Sequence, residues 1–122
     1  MAIELNHTIV PARDPGASAR FLAGILGLTV DAPVSHFTPV TLANHVTLDY
    51  DQHDDVEAHH YAFLVSEEEF DAAFARIRDG GVTHYADPGC RQAGQIYRSG
   101  GRRGTYFRDP DGHLMEILTP AH

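Results

Sequence analysis

Lysine is absent from this chain of 122 residues, so its nine basic side chains are all arginines. Seventeen acidic residues outnumber them and give a net charge of −8. Partners rich in phosphate are bound through clustered basic side chains, and the largest local cluster here is Arg102, Arg103 and Arg108. The composition therefore argues against nucleic acids and anionic membrane surfaces as partners.

Cysteine is almost absent as well. Cys90 stands alone, which excludes an intramolecular disulfide and a cysteine-based zinc knuckle. The apolar runs are far too short to cross a bilayer, and no charged and then apolar leader follows Met1. We therefore expect a cytoplasmic protein whose length suits one domain over residues 1–122.

What the sequence does contain is a strand and helix pattern in its first half. Residues 6–10 are β-rich, and a helix follows that Asp14 caps and Gly27 ends. Three short strands are predicted after this helix, at 28–30, 37–42 and 45–50.

The second half repeats this order. A strand at 59–65 precedes a helix that begins at Ser66, has three glutamates in its first turn and ends at Gly80. A long irregular loop is predicted at 86–103, between strands at 82–85, 104–108 and 113–118. The sequence thus predicts an α+β fold of two tandem βαβββ modules, at about 1–52 and 58–120.

Histidine is unusually frequent, with nine copies, and two of them occupy equivalent places in the first strands of the two modules. These are His7 and His60. In the last strand Glu116 alternates with Met115 and Ile117, which suit the face that a helix covers, so Glu116 is expected on the open face. A carboxylate buried there needs a partner, and two imidazoles with one carboxylate form a facial metal site.

Each of these residues also has a structural interpretation. His7 could be a satisfied core histidine, and His60 could cap a hydrogen-bond network. Glu116 could pair with an arginine such as Arg108. Spacing alone does not decide between the two interpretations.

The segment Tyr106-Phe-Arg-Asp-Pro-Asp-Gly-His-Leu-Met-Glu116 and the doubled βαβββ plan resemble the vicinal oxygen chelate superfamily, which includes glyoxalase I, extradiol dioxygenases and bleomycin resistance proteins. The resemblance implies an incomplete barrel around a metal cavity and a homodimer. It also implies metal ligands at His7, His60 and Glu116. His59 is ranked below His60 because it points to the opposite face.

Members of this superfamily differ around the metal. Where glyoxalase I carries a further acid, this chain has Thr47, with Asp49 on the same face as a possible substitute and His45 nearby. Tyr106 matches a tyrosine that contacts substrate oxygen in extradiol dioxygenases, although it could be a packing tyrosine. A thiol transferase of the fosfomycin-resistance type is disfavoured, because Ile9 replaces its threonine and lysine is absent.

The whole chain is most similar to small oxygenases of this superfamily that tailor polycyclic aromatic polyketides, such as the ring-cleaving enzyme of the chartreusin pathway. This similarity implies an Fe(II) dioxygenase that acts with O₂ on a vicinally oxygenated aromatic, in natural-product or antibiotic biosynthesis. Mn, Ni, Co or Zn would suit the same ligands. Substrate contacts are expected from Thr47, Asp49, Gln95 and Tyr97. The alternatives are a lyase or isomerase of the glyoxalase type, a thiol transferase and a drug-binding protein.

Overall fold

A computed structural model describes residues 2–121, so Met1 and His122, the ends of the predicted domain, lie outside the described residues. Two helices and two sheets confirm the predicted α+β class. Over the described residues, neither helix is long and apolar enough to cross a membrane. The chain divides into two compact units, Met1–Glu57 and Ala58–His122. The elements are β1 (His7–Ala12), α1 (Pro15–Leu26), β2 (Thr38–Thr41), β3 (Thr47–Gln52), β4 (His60–Leu64), α2 (Glu67–Asp79), β5 (His84–Tyr85), β6 (Tyr97–Ser99), β7 (Arg102–Arg108) and β8 (Leu114–Leu118).

The first unit is a sheet of three strands with α1 packed on one face. β3 lies in the centre, parallel to β1 and antiparallel to β2. The helix begins and ends where the sequence predicts, because the Asp14 side chain accepts a hydrogen bond from Ala17 N–H at 3.1 Å and Gly27 adopts φ 72°. Leu22 and Ile25 of this helix are buried, and so are Val10 and Tyr50 of the sheet.

The strand predicted at 28–30 is wrong, so the described part of the first unit has three strands rather than four. Leu28 N–H donates to Ala23 C=O at 2.9 Å, which ties the start of this segment to the end of α1. Asp31 N–H donates to Pro39 C=O of β2, which is a single hydrogen bond rather than a strand ladder. Strand-like residues alone do not make a strand where backbone pairing is missing.

The second unit is a sheet with the order β4-β8-β7-β5, to which β6 adds by pairing with β7. α2 begins with a capping box in which Glu69 N–H donates to Ser66 Oγ and Ser66 N–H donates to Glu69 Oε1. Phe70 and Ile77 of the helix are fully buried. The helix therefore begins and ends as the sequence predicts.

The long loop predicted at 86–103 contains strand structure that the sequence does not predict. Tyr97–Ser99 forms β6, and β7 begins at Arg102. Gly100 and Gly101 connect the two strands with φ values of 60° and 81°, as in a tight hairpin with two residues in the turn. Earlier in the loop Asp87 accepts hydrogen bonds from the backbone N–H groups of Arg91 and Gln92, so that part is also hydrogen-bonded.

Residues 109–112 form the turn of the hairpin that connects β7 to β8. Asp109 Oδ1 accepts from the N–H groups of Asp111 and His113, each at 2.9 Å, and Gly112 adopts φ 86°. Along β8, Met115 and Ile117 are fully buried, so the alternate residues, including Glu116, lie on the other face of the sheet.

Candidate metal centre

His60 and Glu116 meet on the open face of the second sheet. β4 and β8 are parallel and pair Ala62 with Glu116, so His60 is one diagonal step from the carboxylate on the same face. The His60 Nε2 atom lies 3.0 Å from Glu116 Oε1. The Glu116 side chain is only 9% exposed, whereas that of His60 is 46% exposed. The sheet thus holds a mostly buried carboxylate against an imidazole that faces outward.

Two tyrosines surround the same carboxylate. Tyr106 is directly opposite Glu116 in the β7–β8 pair. The Tyr97 hydroxyl donates to Glu116 Oε2 at 2.5 Å. The ring centroids of Tyr97 and Tyr106 are 5.7 Å apart, and those of Tyr106 and His60 are 5.9 Å apart. The carboxylate therefore has hydrogen bonds on both oxygens, which offsets the cost of its burial.

Both phenols stay protonated at neutral pH in this arrangement. Burial raises the pKa of Tyr97, and the hydrogen bond and negative charge of Glu116 raise it further. The pKa of Tyr106 is raised by burial first and then by the same charge. Each tyrosine therefore presents an O–H group to the carboxylate, rather than a second negative charge.

A glycine makes room for Tyr97. Tyr97 of β6 pairs with Gly104 of β7, and a Cβ atom at position 104 would overlap the Tyr97 ring. These residues belong to an open cleft of about 650 Å³. Its walls combine polar and apolar side chains: Ala86, Tyr97, Ser99, Gly100, Arg102, Tyr106, Glu116, Leu118 and Ala121.

The first unit holds the remaining predicted ligand. His7 pairs with Thr47 in the parallel β1–β3 ladder, and Asp49 follows on the same face. The His7 Nδ1 atom donates to Asn6 Oδ1 at 2.8 Å, which leaves Nε2 with a lone pair. Imidazoles that bind metals are typically oriented by such a bond from the other nitrogen. Together with apolar neighbours these residues line a cavity of about 290 Å³.

The residues of the second unit fit a divalent metal ion. The His60 imidazole and the Glu116 carboxylate are donor types that a divalent metal ion accepts, and His60 Nε2 and Glu116 Oε1 lie 3.0 Å apart on the open face of the sheet. Within residues 2–121, neither unit by itself brings together three His, Cys, Asp or Glu side chains as a complete ligand set. His7 belongs to the other unit, and its share in the same metal site stays a prediction.

The remaining residues that the sequence singles out are Gln95, His59 and His45. Gln95 is exposed, and its C=O accepts a 3.4 Å hydrogen bond from Thr105 Oγ1. His59 is outside β4, and its ring stacks on His113 with centroids 5.9 Å apart. His45 precedes β3 with φ 69° and is exposed. The sequence predicts Tyr97 as a substrate contact but does not predict its bond to Glu116, which depends on the β6–β7 pairing.

Comparison with known proteins gives one consistent result. A family model for the glyoxalase/bleomycin resistance protein/dioxygenase superfamily matches residues 4–117. The chain is 31% identical over 126 residues to the glutathione transferase FosA of Serratia marcescens, covering 96% of this chain and 81% of that protein. Among solved structures, Oxidase ChaP-H2 superposes with a TM-score of 0.95 and 53% identity, over 100% of this chain and 97% of that chain. Oxidase ChaP-H1 gives 0.94 and 53%, over 98% and 97%.

The family match and the carboxylate that follows the turn at residues 109–112 agree with the resemblance that the sequence indicated. The chain belongs to the glyoxalase/bleomycin resistance protein/dioxygenase superfamily.

Proposed function

We propose that this protein is an Fe(II)-dependent, extradiol-like dioxygenase that cleaves a vicinally oxygenated polycyclic aromatic. The observation that carries the proposal is the pairing of His60 with the mostly buried Glu116 at 3.0 Å. The similarity to two proteins named oxidases, at 53% identity, supports the oxidative reaction. Within this proposal the protein is cytoplasmic and acts in natural-product biosynthesis.

His7, His60 and Glu116 would hold the metal, with Fe(II) preferred and Mn, Ni, Co or Zn compatible with the same donors. Fe(II), when bound, would supply adjacent open positions for two substrate oxygens and for O₂. The protein's own contribution is to orient the substrate. Tyr106 stands opposite Glu116, and its hydroxyl oxygen can accept a hydrogen bond from a substrate hydroxyl.

The cavity of the first unit supports an aromatic substrate. Thr47 and Asp49 offer polar contacts, and Phe37, Val34 and Pro39 supply apolar surface to the same cavity. A planar ring system with oxygens on one edge has matching chemistry, because apolar area binds the rings and a few polar groups fix the orientation. Gln95 remains a proposed contact from the loop before β6.

Metal analysis and oxygen uptake test this proposal. Protein purified without oxygen is reconstituted with Fe(II) and given 2,3-dihydroxynaphthalene in air. We expect uptake of one O₂ per substrate with the wild-type protein and loss of both metal and uptake in Glu116→Ala. Glu68→Ala, which removes an exposed acid of α2, is the matched control and should retain both. Full metal content in a folded Glu116→Ala protein would overturn the proposed site.

The resemblance to FosA favours a second candidate, a transferase or lyase that uses a thiol substrate. Such an enzyme would turn over without O₂. Anaerobic assays with glutathione and an epoxide, or with a hemithioacetal, distinguish this candidate from the dioxygenase. Turnover under argon together with no oxygen uptake in air would favour it.

A homodimer is also part of the proposal. Ile3, Leu5, Val34 and Leu64 are more than half exposed, and a chain this short buries a limited share of its apolar surface by itself. Light scattering coupled to size exclusion measures the mass. A species of one chain at micromolar concentration would contradict the dimer.

A further inference from the structure

The cleft beside Glu116 carries opposite charges at its two ends. Tyr106, Gly104 and Arg102 alternate along β7, so they share the open face of the sheet. Tyr106 is opposite Glu116, and Arg102 lies four residues away along the strand, which is about 13 Å at 3.3 Å per residue. Both Glu116 and Arg102 line the cleft.

Among the described residues that line this cleft, Arg102 is the only cation. No ion pair or hydrogen bond joins its side chain to another residue within 2–121, whereas the adjacent Arg103 binds Glu67 and Asp71 on the opposite face. Its positive charge nevertheless acts within the cleft, because it lowers the pKa of the Tyr97 phenol and so partly offsets the effect of burial. A cation on a cleft wall without a protein partner can pair with an anion of the ligand.

The hairpin holds this arginine in place. Ser99 pairs with Arg102, and the intervening Gly100 and Gly101 form the two-residue turn. Turns of this kind match the twist of their strands, so the end of the cleft is a built feature and not a loose loop. Tyr97 and Leu118 both pair with Gly104, which lies between Tyr106 and Arg102 on β7, so they give apolar surface between the charged ends. The two alanines add apolar surface to the lining of the cleft.

We propose that Arg102 recognises an anionic group, such as a carboxylate or sulfonate, on the substrate. This group lies on the ring farthest from the two vicinal substrate oxygens, which occupy the Glu116 end of the cleft. The substrate class becomes a planar aromatic with vicinal oxygens at one end and a negative charge at the other. This inference rests on the proposed function, because it uses Glu116 to fix the oxygenated end. The negative charge belongs at the Arg102 end, because Arg102 supplies the positive charge in the lining of the cleft and the vicinal oxygens occupy the Glu116 end.

The test is a comparison of two ligands that share the same catechol end. 2,3-Dihydroxynaphthalene and its 6-sulfonate differ by one charge at the distant ring. Their Kd values are measured anaerobically by naphthalene fluorescence with the metal-reconstituted protein, so no turnover is involved. We expect the sulfonate to bind about fivefold more tightly to the wild-type protein. The ratio should fall to about one in Arg102→Gln and should decline with added salt.

Arg98→Gln is the matched control, because Arg98 pairs with Arg103 and is absent from the lining of the cleft. It should retain the wild-type ratio, and Arg102→Lys should retain part of it. An equal affinity of the two ligands for the wild-type protein, or an unchanged ratio in Arg102→Gln, would overturn the role of Arg102. Failure of the dioxygenase proposal alone would give a different result: no oxygen uptake, while the sulfonate still binds more tightly than 2,3-dihydroxynaphthalene.

Discussion

The ring of Tyr97 occupies the space that a side chain at position 104 would fill. Gly104 is its partner across the β6–β7 ladder, and an added Cβ atom would overlap the ring. The same ring carries the hydroxyl that donates to Glu116. Gly104 of β7 therefore determines the position of Tyr97 of β6, the residue whose hydroxyl bonds to the Glu116 carboxylate.

Gly104→Ala should displace Tyr97 and lower the free energy of unfolding by about 2 kcal/mol, as other cases of overpacking do. The measurement is urea unfolding of the single variants and of the double variant with Tyr97→Ala. In the Tyr97→Ala background the alanine at 104 should cost less than about 0.5 kcal/mol, because the overlapping ring is gone.

Gly24→Ala is the control for this cycle. Gly24 is in α1, and a Cβ atom there would have open space around it. Alanine favours the helix over glycine, so this change should stabilise the protein by about 0.5–1 kcal/mol. If Gly104→Ala lowered the free energy of unfolding equally with and without the Tyr97 ring, the proposed overlap would be contradicted.

Tyr97→Phe removes the hydroxyl that holds Glu116 Oε2 and keeps the ring. Partners that orient a ligand carboxylate typically change metal affinity by about 10-fold to 100-fold when they are lost. We expect a decrease in that range in competition with a chromophoric chelator. Tyr61→Phe is the comparison variant, since Tyr61 lies on the other face of β4, where it contacts His113 edge to face. Similar metal affinities of Tyr97→Phe and the wild-type protein would mean that the 2.5 Å bond does not position the carboxylate.

The features that the sequence predicted correctly depend on neighbours along the chain. Asp14 and Gly27 bound α1, and Ser66 caps α2, because capping is a local interaction within one turn. The position of Glu116 on the open face follows from alternation with Met115, which is equally local. His60 was found from the repeated strand, and the parallel pairing of β4 with β8 explains why it reaches the carboxylate.

The features that were missed depend on partners far along the chain. Residues 28–30 have strand-like composition but no ladder in the structure, and composition cannot report a missing partner. The sequence does not predict β6, which lies in a polar segment, because its pairing with β7 requires the space above Gly104. A signal was nevertheless present, since Gly100-Gly101 between two short extended segments is a typical hairpin turn.

The capping box of α2 makes a prediction about pH. Hydrogen bonds from Ser66 lower the pKa of Glu69, so the folded state holds its proton less tightly than the unfolded state. Stabilisation by this carboxylate is complete above the unfolded pKa of about 4.3 and is lost as the pH falls through the folded pKa. Glu69→Gln should therefore lower the free energy of unfolding at pH 7 and have little effect at pH 3.

Urea unfolding at the two pH values measures this difference. Glu68→Gln is the matched change, since it removes the same charge from the first turn but not the bond to Ser66. Its cost at pH 7 should be smaller than that of Glu69→Gln. A cost of Glu69→Gln that is the same at both pH values would show that the neutral side chain caps the helix equally well.

Arg102 and Arg103 are adjacent in β7, but mutation of Arg103 should lower the stability of the fold much more than mutation of Arg102. The Arg103 Nε atom donates to Glu67 Oε1 at 2.7 Å, a second nitrogen lies 2.8 Å from Asp71 Oδ1, and the guanidinium is 4.4 Å from the centre of the Phe70 ring. These contacts attach α2 to the sheet, although both acids are partly exposed and each ion pair is worth less than about 1 kcal/mol. With the contribution of the ring, Arg103→Gln should cost about 1–2 kcal/mol in thermal or urea unfolding. Arg102→Gln, on the face that carries Glu116, should change stability by less than about 0.5 kcal/mol. If the two variants lost stability equally, the division of β7 into a structural face and a ligand-binding face would be wrong.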